Sequence, residues 1–460
     1  MRIWMRFLGC LLLLLSGGAT GLRAQDAVLG GTVVTPARIF PHAWIVIRSG
    51  RIESITEKRP SSIQPVLETG GIIFPGFIDL HNHPMYDAFP RWRPPAKFKN
   101  RYEWRDLPEY KKILGDPGSA LQKKGDQTFC DLDEYSEVKA LIGGTTSITG
   151  ISPRRGAAAP VPACIVGLVR NLDWASGFHG TGIGHERIAN AIGITPHDMS
   201  DQDAAAFRHE LASNDIDLLL IHVAEGSPQD LESSIEFLAL KGRELFGSHT
   251  AIIHGTALTA DDFRQMREVG SALIWSPRSN MELYGVTTDI PAALKEKVTI
   301  ALAPDWSPTG STNTLAEIGY ASRYSREHLS RLLSDEELFQ MSTSVPARIA
   351  HIEDMVGTIE AGHYADLFVL KGDTADPLTA LANAQPQDVQ FVMISGVPLY
   401  GNEKLMSELH LNTEPVEVCG AKMLLNSAAL PDGPLADVER RLEADLKQYE
   451  ISLAPLAECQ

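Results

Sequence analysis

The sequence predicts an α/β fold in which a (β/α)8 barrel, or TIM barrel, is joined to a small β-sandwich built from the N- and C-terminal segments. In the middle of the chain, eight short apolar segments alternate with segments of helical periodicity. Both ends of the chain instead carry short strand-like segments separated by turns. Eight strand and helix units are typical of this barrel, in which catalytic residues lie at the carboxyl ends of the strands.

These patterns divide the 460 residues into five parts. We expect a signal peptide over residues 1–24, the first part of the β-sandwich over 25–73, the barrel over 74–351, the second part of the sandwich over 352–410 and a C-terminal extension over 411–460. The eight barrel strands are predicted at residues 72–80, 145–151, 164–172, 188–194, 216–222, 251–254, 272–275 and 299–303.

The N-terminus predicts export. Residues 1–6 are basic, residues 7–15 form an apolar run, and residues 17–24 are rich in small side chains. The apolar run is much shorter than the roughly 20 residues that span a bilayer. We therefore expect a periplasmic or extracellular protein with no stable membrane insertion after signal removal.

Removal of the signal peptide leaves four cysteines in a compartment that permits disulfides. They are Cys130, Cys164, Cys419 and Cys459. Four cysteines allow three pairings, and the sequence neither chooses among these pairings nor excludes buried free thiols. A disulfide between Cys419 and Cys459 would tie the C-terminal tail across a long loop.

The net charge of −17 argues against a nucleic-acid partner. We expect a small-molecule substrate instead, and the sequence leaves oligomerisation open. The acidic stretch over residues 126–137 lacks the glycine and the spacing of a calcium-binding loop. We therefore expect it to be the solvated start of a helix.

Residues that bind metals or move protons end four of the predicted strands. His81 and His83 end the first strand, and because strand side chains alternate faces, both imidazoles can reach one ion. His222 closes the fifth strand, His254 closes the sixth, and Asp305 follows the eighth. Each residue alone is explained by a structural role, but a barrel brings these strand ends to one rim, which predicts a site.

The segments that contain these residues, together with residues 275–280 and 357–367, resemble the amidohydrolase superfamily. The resemblance is to the branch of mononuclear deaminases and related hydrolases, which includes cytosine, guanine and S-adenosylhomocysteine deaminases and chlorotriazine hydrolases. It implies that His81, His83, His222 and Asp305 are the metal ligands. It also implies three catalytic roles: Glu225 as proton shuttle, His254 as hydrogen-bonding partner of the attacking water or the substrate, and Asp305 as proton acceptor.

Three imidazoles and a carboxylate suit one divalent ion, with Zn²⁺ expected and Fe²⁺ or Mn²⁺ as alternatives. Some relatives hold two metals bridged by a carboxylated lysine on the fourth strand. No lysine occurs between Lys139 and Lys241, which excludes a lysine-bridged pair here.

The expected reaction is hydrolysis of a carbon–nitrogen bond other than a peptide bond. A bound divalent ion lowers the pKa of water from 15.7 to about 7, which gives a nucleophile that attacks an sp² carbon. Deamination and hydrolysis of a cyclic amide or amidine both fit this chemistry. The alternative is a periplasmic metal-containing binding or scaffold protein that retains the barrel and has little turnover.

The segment after the first strand predicts the kind of substrate. Residues 91–112 carry eight basic and three acidic side chains, together with aromatic ones that include Trp92, Phe98, Tyr102 and Trp104. Aromatic faces beside guanidinium groups suit a planar, anionic substrate. Alternatively, these arginines pair with acidic patches and the aromatic side chains pack beneath the loop. The candidate substrate contacts are Arg91, Trp92, Arg170 and His179.

Overall fold

The computed structural model describes residues 22, 24–61, 63–151, 164, 167–173, 188–191 and 195–459. Nearly all of the predicted signal peptide, residues 1–24, lies outside these ranges. Within them, no helix is both long enough and apolar enough to cross a membrane.

Seventeen strands lie in the described ranges. The first nine are β1 (Ala27–Val34), β2 (Ile39–Arg48), β3 (Arg51–Thr56), β4 (Val66–Pro75), β5 (Phe77–Asp79), β6 (Thr145–Ile148), β7 (Arg170–Asn171), β8 (Ile188–Ala191) and β9 (Leu218–Val223). The other eight are β10 (Thr250–His254), β11 (Ala272–Trp275), β12 (Thr299–Leu302), β13 (Leu367–Leu370), β14 (Val389–Ile394), β15 (Val397–Asn402), β16 (Thr413–Val418) and β17 (Ala421–Asn426).

Fifteen α-helices lie in the same described ranges. The first eight are α1 (Arg101–Arg105), α2 (Pro108–Tyr110), α3 (Asp116–Lys124), α4 (Asp126–Ile142), α5 (Asp201–Ala212), α6 (Leu231–Gly242), α7 (Ala260–Val269) and α8 (Pro277–Tyr284). The other seven are α9 (Ile290–Lys295), α10 (Thr314–His328), α11 (Asp335–Gln340), α12 (Ser344–Ile349), α13 (Pro377–Ala382), α14 (Glu403–Ser407) and α15 (Leu435–Lys447).

The two ends of the chain form one mixed sheet in the order β16-β17-β15-β14-β13-β4-β1-β2-β3. The ends meet where β4 pairs antiparallel with β13, with Ile73 opposite Val369. One face of the sheet packs Leu29, Ile45, Ile73, Val369 and Phe391 into a separate apolar core. The sequence predicted a sandwich of two sheets, whereas hydrogen bonds join these nine described strands into a single sheet.

The middle of the chain forms two arcs of parallel strands. One arc has the order β5-β6-β7, and the other has the order β12-β11-β10-β9-β8. A parallel bridge between Asn82 and Asp305 links the end of β5 to the residues after β12. Each of the eight predicted barrel segments contains one of these strands, although β7 is only two residues long.

The first barrel segment differs from its prediction because two sheets share it. Residues 72–80 were expected to form one strand, but β4 ends at Pro75 in the terminal sheet and β5 begins at Phe77 in the first arc. Gly76 separates the two strands, and a Cβ atom there would lie 2.1 Å from Thr146 Oγ1. Only glycine therefore allows this close approach.

The C-terminal extension covers helix α4. Residues 411–460 add β16 and β17 to the terminal sheet and place α15 against α4, where Arg441 makes a bidentate ion pair with Asp131 (2.6 and 2.8 Å). The acidic stretch 126–137 was expected to be solvated, but Asp131, Asp133 and most of its neighbours are buried. The helix does begin at Asp126, as predicted, but its predicted solvation was wrong beyond the first two residues, because the sequence does not show that a distant helix covers this one.

Two disulfides are formed, Cys130–Cys164 and Cys419–Cys459. The first ties α4 to the segment before β7. The second ties the turn between β16 and β17 to the end of the chain. Of the three pairings that the sequence left open, the structure therefore contains the one that joins cysteines 34 and 40 residues apart in sequence, and the Cys419–Cys459 disulfide considered above is formed.

Candidate active site

Four histidines and an aspartate meet at the carboxyl ends of the parallel strands. His81 and His83 follow β5, His222 lies in β9, His254 ends β10, and Asp305 follows β12. The His81 ring centroid lies 4.8 Å from that of His222 and 5.1 Å from those of His83 and His254. The structure therefore brings together the strand-end residues that the sequence singled out.

The turn that carries His81 and His83 is held by a buried carboxylate. Asp79 Oδ1 accepts a hydrogen bond from the His81 backbone N–H (2.9 Å), and Asp79 Oδ2 accepts one from Asn82 Nδ2 (3.0 Å). Burial raises the pKa of Asp79 well above its usual value, against the opposing effect of these two hydrogen bonds. The Asp305 backbone N–H donates to the His81 carbonyl (3.1 Å), so the first and last strands of the two arcs are joined at the site.

Three residues at the site adopt the left-handed backbone region. They are Ala224, His254 and Asp305, with φ of 57°, 66° and 61°. This conformation is uncommon for residues other than glycine and costs on the order of 1–3 kcal/mol each. Because the bend at His254 ends β10 and the bend at Asp305 lies three residues after β12, both side chains are placed at the carboxyl ends of the strands.

Asp305 is surrounded by imidazoles. Its Oδ1 atom lies 3.0 Å from His81 Nε2 and 3.3 Å from His83 Nε2. Burial opposes ionisation of Asp305, but His81, His83 and His254 together hold its pKa well below the usual value. Burial lowers the pKa of His81 to about 4. At neutral pH the site therefore offers neutral imidazole beside ionised carboxylate.

The Glu225 carboxylate lies among three side chains, those of Tyr284, Arg101 and His254. Tyr284 donates a hydrogen bond to Glu225 Oε1 (2.6 Å), Arg101 Nη1 lies 3.1 Å from Oε2, and His254 Nε2 lies 3.8 Å from Oε1. Burial alone would raise the pKa of Glu225. His254, Arg101 and Tyr284 outweigh that effect and lower the pKa, so this carboxylate is ionised at neutral pH.

These side chains face a cavity of about 260 Å³. That volume lies near the small end of ligand pockets, which suits a substrate of one or two rings. The lining combines the strand-end residues with aromatic and basic side chains from the segment after β5. The described lining residues are His83, Tyr86, Arg101, Trp104, Arg105, Tyr110, Gln122, His222, Glu225, His254, Leu283, Asp305 and Trp306.

The donor atoms of this cluster fit a divalent metal ion. Ligand atoms of His81, His83 and His222 lie within 4.8 Å of one another, as do those of His81, His254 and Asp305. Within the described residues, Nδ1 of His81 and Nδ1 of His222 have no hydrogen-bond partner, although both side chains are buried. Buried imidazoles with unpaired nitrogens, next to an ionised carboxylate, are groups that a divalent ion would satisfy.

Comparison with known proteins agrees with this geometry. Residues 218–399, which carry His222, Glu225, His254 and Asp305, match the amidohydrolase family model. The chain contains an amidohydrolase domain. The match confirms the family expected from the sequence, and the names of the related deaminases agree with the expected enzyme class, hydrolases that act on carbon–nitrogen bonds other than peptide bonds.

The matches in the comparisons are distant. The chain is 27% identical to a 5-methylthioadenosine/S-adenosylhomocysteine deaminase of Caldanaerobacter subterraneus over 213 residues, which are 43% of this chain and 48% of the relative. It is 23% identical to a deaminase of the same name from Syntrophobacter fumaroxidans over 84% of this chain and 95% of the relative. A zinc-bound adenosine deaminase from Xanthomonas campestris superimposes with a TM-score of 0.70 at 17% identity, covering 93% of this chain and 99% of that structure. This likeness shows a shared fold, a TIM barrel with an additional domain.

Two of the predicted substrate contacts do not line the cavity of the amidohydrolase domain. Arg91 Nη1 donates to the Gly310 carbonyl (2.6 Å) and to Glu458 (3.1 Å) near the C-terminus. Trp92 is only 3% exposed, packs against Phe98 and donates from its indole N–H to Glu109 (3.4 Å). Arg91 therefore pairs with an acidic residue and Trp92 packs within the protein, which is the alternative to substrate contact given above for this segment.

Arg170 and His179 complete the predicted set. Arg170 is fully buried and donates to both carboxylate oxygens of Asp366 and to Ser395 Oγ (2.7 Å). It therefore joins β7 to the terminal sheet, where Asp366 neutralises its charge, and it is not among the described residues that line the cavity. His179 lies outside the described residues.

The residues that the sequence reasoning missed come mainly from helix α1. Arg101 and Arg105 both line the cavity, and their spacing of four residues puts them on one face of this helix. Asn100 caps the helix by accepting hydrogen bonds from the backbone N–H groups of Tyr102 and Glu103. That N-cap was the signal that could have identified the two arginines. No sequence pattern pointed to Tyr284.

Proposed function

We propose that this chain is an exported, metal-dependent hydrolase that cleaves a carbon–nitrogen bond of a small planar substrate, by preference releasing ammonia. One observation carries the proposal: strand-end imidazoles and carboxylates converge on one cavity in which Glu225 is held ionised. The names of the related deaminases support deamination over ring opening, although both reactions would use the same residues.

Four residues would hold the ion, and the others would act on the substrate. His81, His83, His222 and Asp305 supply three imidazole nitrogens and a carboxylate, a set that suits Zn²⁺, with Fe²⁺ or Mn²⁺ as alternatives. When bound, such an ion makes water a nucleophile at neutral pH.

Proton transfer falls to Glu225 in this proposal. As an ionised carboxylate it accepts the proton of the attacking water, and as the resulting acid it delivers that proton to the departing nitrogen. Water oxygen bonds to the sp² carbon, the carbon–nitrogen bond breaks, and nitrogen leaves with the transferred proton. His254 is placed to hydrogen-bond the substrate, while Tyr284 and Arg101 fix the orientation of Glu225.

A planar substrate is supported by the aromatic walls of the cavity. Trp104, Tyr110 and Trp306 line it, and the Trp104 and Trp306 rings lie 5.6 Å apart between centroids. Aromatic side chains in such positions favour flat ring systems by stacking.

The proposal extends to the shape of the domain and to its location. We propose that the two arcs close into one eight-stranded barrel between β7 and β8, as the bridge between Asn82 and Asp305 supports at the other junction.

Export is supported by the N-terminal sequence and by two disulfides, which persist in oxidising compartments. Fractionation of producing cells, with the mature N-terminus determined, tests the location.

Ammonia release across a substrate panel tests the reaction. The panel consists of one- and two-ring heterocycles that bear an exocyclic amine, matched with cyclic amides and amidines of the same size. We expect ammonia from at least one ring amine, loss of that activity with a chelator and recovery with Zn²⁺. Ring opening without ammonia would replace deamination by cyclic amide hydrolysis, and tight binding without turnover would favour the binding or scaffold protein.

A further inference from the structure

Helix α1 presents two arginines to the cavity in different states. Arg101 and Arg105 are four residues apart, which places them on one face of the helix, about 6 Å apart along its axis. Arg101 is buried and faces the Glu225 carboxylate at 3.1 Å. Arg105 is partly buried, and within the described part of the chain it has no carboxylate, carbonyl or aromatic ring as a partner.

The other cations of this segment with assigned partners are engaged away from the cavity. Arg91 pairs with Glu458, Lys97 donates to the Glu282 carbonyl and Lys111 pairs with Asp106. Arg105 therefore differs from them both in lining the cavity and in having an unmatched charge.

Hydrogen-bond donors surround the Arg105 end of the cavity. Tyr86, Tyr110 and Gln122 line the cavity together with Arg105. Burial raises the pKa of both phenols, so each hydroxyl keeps its proton and can donate it to an acceptor. The carboxylates among the described lining residues, Glu225 and Asp305, both belong to the strand-end side of the cavity.

The charges of the cavity contrast with those of the whole protein. Two guanidinium groups and two carboxylates line it, so the cavity is balanced before any divalent ion is bound and positive afterwards. The chain as a whole carries a net charge of −17. A cationic cavity in an acidic protein concentrates anions at one place.

From these observations we propose that Arg105, with the hydroxyls of Tyr86 and Tyr110, forms a subsite for an oxyanion carried by the substrate. The inference rests on the proposed function and specifies its substrate class: a planar ring with a carboxylate or phosphate group on the side opposite the bond that is cleaved. A guanidinium group binds either oxyanion through paired N–H donors. The separation of about one helical turn between Arg101 and Arg105 is a length that a single substituted ring spans.

Ligand binding tests the subsite without turnover. Trp104 and Trp306 line the cavity, so quenching of tryptophan fluorescence reports on its occupation. The probes are benzoate, its uncharged analogue benzamide, and phenyl phosphate, titrated into the metal-loaded protein and into protein treated with chelator. The variants are Arg105→Gln and Arg105→Lys, and the matched control is Arg93→Gln, an exposed arginine of the same segment that does not line the cavity.

We expect the wild-type protein and Arg93→Gln to bind benzoate or phenyl phosphate at least about 10-fold more tightly than benzamide, in line with hydrogen bonds to charged groups. In Arg105→Gln the affinity for the anion should fall to about that for benzamide, and Arg105→Lys should retain part of the preference for the anion. The better of the two anions identifies the class of oxyanion. An unchanged ratio in Arg105→Gln, or a preference for anions that disappears with chelator, would overturn the proposal.

The binding test also separates this inference from the proposed reaction. If no compound of the substrate panel is hydrolysed, the proposed reaction is refuted, but the measured preference for anionic over uncharged ligands still supports the subsite. If ammonia is released equally well from charged and uncharged substrates and the ratio is near one, the subsite fails while the reaction stands. Melting temperatures of the Arg105 variants show whether they are folded.

Discussion

Two groups of buried carboxylates in this protein behave in opposite ways. Glu225 and Asp305 at the strand ends have lowered pKa values, because arginine, tyrosine and histidine side chains stabilise their charge. Glu134 and Glu137 on α4 are as deeply buried, but burial raises their pKa to about 8. Among the described residues, they accept hydrogen bonds from the backbone N–H groups of Asp432 and Leu168 and from the Asn171 side-chain amide.

The comparison shows that burial does not decide whether an acidic residue is a functional charge. Removal from water favours the neutral acid in both groups. Hydrogen bonds from neutral donors do not outweigh it at Glu134 and Glu137, whereas cationic side chains together with such donors do at Glu225 and Asp305. Asp133 shows the effect of burial without compensating hydrogen bonds. Within the described residues neither of its carboxylate oxygens has a hydrogen-bond partner, and burial raises its pKa well above the usual value. The strand-end group is therefore built for ionised chemistry, whereas the α4 group is not.

The largest effect is expected from His83→Ala. If the strand-end group holds an ion, loss of one imidazole ligand should remove both the ion and the activity, leaving no measurable turnover. Metal analysis and ammonia release on the same preparation measure both. The exposed histidine in β2 gives a matched control, His42→Ala, which should keep both.

Glu225→Gln sharpens the comparison by removing the charge and keeping the shape. We expect the variant to retain its metal and to lose on the order of 10²-fold or more in kcat, because the proton acceptor is gone. Glu137→Gln makes the same chemical change on α4 and should leave kcat unaltered. Equal activity losses in the two variants would show that the distinction between the two groups is wrong.

The α4 group should contribute to the pH dependence of stability. The folded-state pKa of Glu134 is raised to about 8, above its unfolded value near 4.5, so the folded state holds the proton more tightly. Its contribution to stability is therefore complete below about pH 4.5 and is lost as the pH rises through 8. Melting temperatures between pH 5 and 8.5 should fall less steeply for Glu134→Gln than for the wild-type protein. Parallel curves for the two proteins would contradict this account.

The smallest effect is expected from Tyr284→Phe. The hydroxyl donates to ionised Glu225 and accepts from the Trp104 indole (2.9 Å), so its loss should raise the pKa of Glu225 and reduce kcat by about 10-fold. The acidic limb of the pH–rate profile should move to higher pH. Tyr320→Phe, which changes a phenol away from the cavity, should not move that limb.

The strand-end residues could be predicted because local pattern determines where they lie. Alternating side chains place His81 and His83 together, and a barrel brings the ends of β5, β9, β10 and β12 to one rim. What the local pattern did not contain was the left-handed backbone at His254 and Asp305, which directs both side chains.

The substrate contacts were predicted less well, because pairing with remote segments decides which charges are available. Arg91 is paired with Glu458, 367 residues away, and Arg170 with Asp366, 196 residues away. The basic segment does contribute to the cavity, but the basic residues through which it does so are Arg101 and Arg105. The division of the first barrel segment at Gly76 likewise depends on Thr146, which belongs to the next strand.

The metal content of the purified protein tests the central claim most directly. We predict one divalent ion per chain by mass spectrometry of protein prepared without chelator, with full loss of ammonia release when the ion is removed and recovery when one equivalent is restored. Two ions per chain at full occupancy, or undiminished turnover in protein shown to contain no metal, would contradict the account.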